Sequence, residues 1–210
     1  MTVCAIPGLN LRISPEQVPL PSETIAEQQD GGVAVLAGGC FWCTEAVFTQ
    51  LQGVLSVKPG YAGGRAERAN YDAVCTGITG HAEVIKIDYD PKQISFGQLL
   101  QVFFAIAHDA TQLNRQGNDV GTQYRSAIFP QDDHQLRLAK SYMQQLTEAD
   151  IFFTPITTTL EPDQVFYPAE KYHDNYAARN PDQPYIQAVS TPKAQKLKTY
   201  FGAQLKNDHA

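Results

Sequence analysis

The chain has 210 residues and a formal charge of −6, with 43% hydrophobic, 10% aromatic and 18% charged residues. That composition belongs to an ordinary globular protein able to bury a full core, and with no Lys/Arg cluster to neutralise many phosphates a nucleic-acid partner is excluded. No apolar run approaches the roughly 20 residues that span a bilayer, so no membrane partner is expected.

Residues 1 to about 30 contain Pro7, Pro15, Pro19 and Pro21 and end in Gln28-Gln29-Asp30-Gly31-Gly32. They show no sustained periodicity and read as an extended N-terminal arm. The start, Met1 to Pro7, lacks a basic segment followed by an apolar one, so the cytoplasm is the expected compartment. In a reducing compartment the four cysteines, Cys4, Cys40, Cys43 and Cys75, read as catalytic, metal-binding or inert rather than as a disulfide framework.

The apolar run Val33 to Ala37 predicts a central strand, and Gly38-Gly39-Cys40 a tight turn into a helix from Phe41 to about Leu51. Gly53 ends that helix, and Val54 to Tyr61 reads as a second strand. Over residues 82 to 89 the alternation puts Ile85, Ile87 and Tyr89 on one side and Lys86 and Asp88 on the other. Glu83 has the parity of the buried set. Ser95 and Gln98 form a capping-box signature for a helix carrying Phe96, Leu99, Leu100, Phe103 and Ile106. A polar loop over residues 114 to 121 precedes a short strand, Gln123 to Phe129. A further helix from about Asp132 to Thr147 presents Leu136, Ala139, Met143 and Leu146, and a strand follows near Ile156 to Leu160. From about residue 162 the chain is loop-rich, with one helix from Pro192 that places Leu197 and Phe201 on the body. The order β-α-β-β-α-β predicts an α+β fold, a ferredoxin-like α/β sandwich with a split β-α-β core, as one catalytic domain over residues 31–210.

Cys40 sits at a strand-to-helix turn, where free N–H groups and the helix dipole favour thiolate, and Cys43 follows as C-x-x-C. A buried, inert thiol is the alternative for Cys40. Zinc would need a second such pair or a spaced histidine pair, and His81, His108, His134, His173 and His209 are isolated from one another, so no metal site is expected. Burial of Glu83 would raise its pKa and let it donate a proton near neutrality. Tyr71 and Tyr124 could add hydrogen bonds or pack in the core, and Phe41 and Trp42 could wall an apolar pocket or fill the interior. On the residues alone, a thiol–disulfide oxidoreductase using Cys40 and Cys43 and a non-enzymatic redox-sensing interaction protein both remain open.

The segments Gly39-Cys40-Phe41-Trp42 with Glu45, Gly60-Tyr61-Ala62-Gly63-Gly64, Tyr71-Asp72-Ala73-Val74-Cys75, Gly80-His81-Ala82-Glu83 and Gln116 to Ser126 together resemble the A-type peptide methionine sulfoxide reductases over roughly residues 33 to 180. The resemblance implies that Cys40 attacks the sulfoxide sulfur of the S epimer, free or in peptides, while Glu83 protonates the leaving oxygen. It implies hydrogen bonds to that oxygen from Tyr71 and Tyr124, and a methyl-binding wall from Phe41 and Trp42. Asp119 matches the family's loop carboxylate, and His173 a histidine lining the pocket. A sulfenic acid on Cys40 would be resolved by a second thiol and recycled by thioredoxin or another thiol reductant, with no cofactor.

The chain departs from the pattern after Cys75, where it has no further cysteine, and Ile186 stands where some relatives have one. Cys43 is the substitute resolving thiol, since three residues at a helix start bring two side chains close. The alternative is direct reduction by an external thiol. Cys75 reads as packing.

Overall fold

The structure is a computed structural model that describes residues 10–24 and 31–206. The apolar run at Val33 becomes strand β1 (Gly32–Gly38), which lies inside the sheet with antiparallel neighbours on both edges. Helix α1 (Phe41–Phe48) follows, then β2 (Val54–Ala62), a short helix α2 (Tyr71–Cys75), β3 (Ala82–Tyr89) and α3 (Phe96–Val102). A two-stranded hairpin, β4 (Arg115–Gln116) and β5 (Asp119–Val120), precedes β6 (Ser126–Phe129) and α4 (Asp133–Glu148). The edge strands β7 (Thr159–Leu160) and β8 (Tyr167–Pro168), α5 (Tyr176–Arg179) and α6 (Thr191–Phe201) complete the strands and α-helices of the described residues.

The main sheet runs β7-β6-β1-β3-β2-β8. Its four inner strands, β6-β1-β3-β2, are antiparallel, with β1-α1-β2 and β3-α3-β6 as the two split units, which is the predicted ferredoxin-like α+β core. β7 adds to one edge in parallel and β8 to the other antiparallel.

Strand alternation divides the core. Leu36, Ile85, Ile87 and Tyr61 join Phe41, Val47 and Phe48 of α1 and Phe96, Leu99 and Leu100 of α3 in one large cluster. Val35, Ala37, Val84, Ala127 and Phe129 form a smaller cluster on the opposite face. The register pairs Leu36 with Ile85 and Tyr61 with Glu83, so Glu83 lies on the helix-covered face at the end of β3.

Ser95 accepts from the Gln98 N–H and Gln98 returns a bond to the Ser95 N–H, so the capping box starts α3 as expected. The expected strand from Gln123 begins only at Ser126. Gly121, at φ 145°, turns the chain into a single 3-10 turn over Thr122–Tyr124, closed by Tyr124 N–H to the Gly121 carbonyl. The buried face of α4 is also rotated from the expected one. Gln135, Leu138, Ala139, Tyr142 and Leu146 are buried, because Gln135 reaches the Val33 carbonyl and Tyr142 the Pro19 carbonyl. Leu197 and Phe201 of α6 are buried as predicted.

Residues 10–24 lie on the body. Leu11 bridges Phe152, Val18 is buried, and Gln101 donates to the Val18 carbonyl. The rest of the proline-containing arm, with Cys4, lies outside the described residues.

Candidate active site

The site grows from the β1–α1 junction. Gly39 has φ +83°, and a Cβ there would come within 2.5 Å of the Gln116 side chain, so the turn admits glycine only. Cys40 is the N-cap of α1, its carbonyl accepting from the Cys43 and Thr44 N–H groups. Cys40 is 8% exposed, whereas Cys43, one turn on, is fully buried.

Glu83 approaches the same turn from β3. Its Oε2 accepts from the Phe41 N–H at 3.0 Å, and only 2% of the residue is exposed. Burial pushes its carboxyl up to about 8, against the Phe41 N–H, with the charges of Asp119 and Cys43 adding to the rise. It is therefore an acid at neutral pH.

The thiols do not ionise as the helix terminus alone would suggest. Burial, then the neighbouring Cys43, raises Cys40 well above the usual thiol range. A hydrogen bond from Cys40 draws Cys43 down to about 7 despite burial, with Lys193 assisting. The pair shares one proton near neutrality, with the charge resting on the inner sulfur.

Tyr71 opens α2, whose N-cap Asn70 accepts from the Ala73 N–H, and Tyr124 sits in the turn before β6. Both phenols interact electrostatically with Glu83 and Cys40, and burial raises both, which keeps them as protonated donors. Asp119, on β5, accepts from the Tyr185 hydroxyl at 2.5 Å, and that same hydroxyl lies 3.8 Å from Cys43 Sγ. A cleft of about 430 Å³ opens beside Cys40, lined also by Cys43, Gln116, Asp119, Tyr185 and Lys193.

The aromatic wall is layered. Trp42, half-buried, stacks on Tyr176 at 3.9 Å and donates its indole N–H to His173 Nδ1 at 3.0 Å. Phe41 is only 1% exposed and packs on His173 and Tyr61, so Trp42 is the ring of the two that remains open and Phe41 supports it from behind. His173 is fully buried against Phe41, Trp42 and Tyr71, and burial lowers its pKa. As the acceptor of the indole proton it is the neutral Nε2–H tautomer, and it holds the wall from the interior.

One further expectation changes. Cys75 does not pack inside, because α2 buries only Val74 and leaves the thiol exposed. His81 and His108 are fully buried and hydrogen-bonded, His108 to the Phe103 carbonyl and Ser126 Oγ, with burial taking it down to about 3. Tyr185, Lys193 and Glu170 have no signal in the local pattern. Glu170 accepts from the Tyr61 hydroxyl and the Tyr71 N–H, which fixes the start of α2. Among the described residues no three His, Cys, Asp or Glu side chains gather as metal ligands.

A model of the peptide methionine sulfoxide reductase family matches residues 32–205. The chain belongs to that family. A reductase from Deinococcus radiodurans is 52% identical over 173 residues, covering 82% of this chain and 84% of its own. Another, from Nautilia profundicola, is 53% identical over 163 residues, covering 78% and 92%. Among solved structures, the reduced form of Mxr1 from Saccharomyces cerevisiae superposes with a TM-score of 0.67 at 37% identity, covering 78% of this chain and 94% of that one. Methionine sulfoxide reductase A of Corynebacterium diphtheriae gives 0.61 at 33% identity, covering 86% and 92%. Membership favours the reductase over the two readings left open by the residues. The reductase is an oxidoreductase of methionine sulfoxide. No helix among the described residues is long and apolar enough to cross a membrane.

Proposed function

We propose that the reductase acts on the S epimer of methionine sulfoxide, free or in proteins, with Cys40 as nucleophile, Glu83 as acid, and Tyr71 and Tyr124 as hydrogen-bond donors to the sulfoxide oxygen. The Cys40 thiol passes its proton to the neighbouring Cys43 thiolate and attacks the sulfoxide sulfur, while Glu83 gives its proton to the oxygen. The S–O bond to the substrate breaks, methionine leaves, and Cys40 carries the oxygen as sulfenic acid. The observation that carries this reading is the neutral, buried Glu83 carboxyl bonded to the amide of the residue after Cys40. Trp42 holds the methyl side, with Phe41 and His173 behind it, and Asp119 and Tyr185 border the cleft.

Cys43 resolves the sulfenic acid to a Cys40–Cys43 disulfide, which thioredoxin or another dithiol reduces. Its support is the adjacency of the two thiols, the low pKa of Cys43, and the lack of any cysteine after Cys75. Residues 31–210 act as one catalytic domain with residues 1–30 as an extension, in keeping with the family match from residue 32. The cytoplasm is the proposed compartment, in keeping with free Cys40, Cys43 and Cys75. Single-turnover reaction with each purified epimer tests the reading: one equivalent of methionine from the S epimer and none from the R epimer is expected. Comparable yields from both would contradict it.

A further inference from the structure

The C-terminal segment carries no thiol, yet it still covers the reactive pair. Ile186 is 2% exposed and points into the body, while Val189 and Lys193 beyond it wall the cleft over Cys40 and Cys43. Helix α6 packs against α1, the helix that carries both sulfurs. Lys193 is half-buried there, and among the described residues its ammonium forms no ion pair with a carboxylate.

We infer that Lys193 is a positioning residue for the recycling step, supplying from α6 the positive charge that holds the buried Cys43 sulfur as the attacking thiolate. The inference rests on the proposed resolving role of Cys43. A thiolate without solvent is costly unless a cation or donor compensates it. The groups around Cys43 are few. Cys40 faces it from the start of α1, the Tyr185 hydroxyl lies 3.8 Å away, and Asp119 on β5, joined by Glu83 on β3 once that group has given its proton, opposes the charge. Lys193 is the cation that acts on Cys43 in the favourable direction, and Lys196, one turn along α6, borders the same cleft. Asp119 would push the inner thiol back toward its neutral form, and Lys193 offsets it.

The step balances. The Cys43 thiolate attacks the sulfur of Cys40–SOH, the S–O bond breaks, and the departing hydroxide takes one proton from solvent and leaves as water. Both sulfurs end in the disulfide, and the external dithiol returns the two electrons.

The test uses full-length protein and compares wild type with Lys193→Met, which keeps most of the apolar stem, Lys193→Arg and Cys43→Ser. After one turnover with excess sulfoxide, methionine release and loss of the second thiol are followed in the same reaction from pH 5.5 to 9. Wild type is expected to lose the second thiol faster as pH rises, along a profile with one midpoint that reports Cys43. Lys193→Met should move that midpoint up by roughly half a unit to one unit, slowing the step about three- to tenfold below pH 7, and Lys193→Arg should restore it. An unshifted profile in Lys193→Met, with second-thiol loss abolished in Cys43→Ser, would overturn the role of Lys193 and leave Cys43 as the resolving thiol. Second-thiol loss that persists in Cys43→Ser would overturn both.

Discussion

The amide of Phe41 donates to Glu83 Oε2 at 3.0 Å, so the residue that follows the nucleophile also anchors the acid. One tight turn thereby fixes the nucleophile together with an acid that lies 42 positions beyond Phe41. Tyr61, paired with Glu83 across β2 and β3, closes the other side with a fully buried ring.

Glu83 must be protonated to act as the acid, and its carboxyl titrates near 8. The rate of sulfoxide reduction therefore falls as pH rises through about 8, while loss of a proton from the thiol pair near 7 shapes the acidic limb. Glu83→Gln keeps the shape but has no proton to give. Its single-turnover rate is expected to drop about 10²–10⁴-fold, and the remaining activity should lose the alkaline limb. Rapid-quench measurement of methionine from pH 6 to 9.5 checks both expectations.

The same carboxyl weakens the fold. Its folded pKa of about 8 lies above the ordinary 4.5, so between those values the native state binds more protons than the unfolded chain. Stability from this group is then present at low pH and lost as pH rises. Glu83→Gln removes the burden and should be more stable than wild type by an amount that grows from pH 5 to pH 8, on the order of a few kcal/mol at the upper end. Denaturant unfolding at the two pH values measures the difference. Equal midpoint shifts at both would count against a buried, neutral Glu83.

His173 accepts the Trp42 indole proton from a fully buried position. His173→Phe keeps an aromatic ring there but leaves the donor unpaired, at a cost of about 1–3 kcal/mol. Because Trp42 then keeps its ring contacts with Tyr176, Phe41 and Tyr185 but loses the hydrogen bond that orients it, KM for sulfoxide should rise more than kcat falls. Thermal unfolding and steady-state kinetics of the variant report the two effects separately.

Short-range patterns in the chain are carried by forces that act over a few residues, and those were the readable ones. The Ser95–Gln98 capping box, the glycine turn before Cys40 and the two-residue alternation that buries Glu83 all appear in the structure where the residues place them. Tyr124 reads as strand because Gln123 to Phe129 is rich in strand formers, and the turn at Gly121 overrides that preference locally. The ionisation of Cys40 is misjudged from sequence for a related reason. A helix terminus is visible in one dimension, but the burial that raises Cys40 arises from segments remote in the chain. Tyr185 is the extreme case, brought to Cys43 across 142 positions by the packing of the C-terminal segment.

The central claim is that the oxygen passes from substrate to Cys40. It is tested most directly in the Cys43→Ser variant, reacted once with the S sulfoxide in the presence of a sulfenic-acid trap and mapped by mass spectrometry. One equivalent of methionine together with a trap adduct on Cys40 is the predicted result. Methionine formed with no adduct on Cys40, or formed undiminished by Cys40→Ser, would contradict the account.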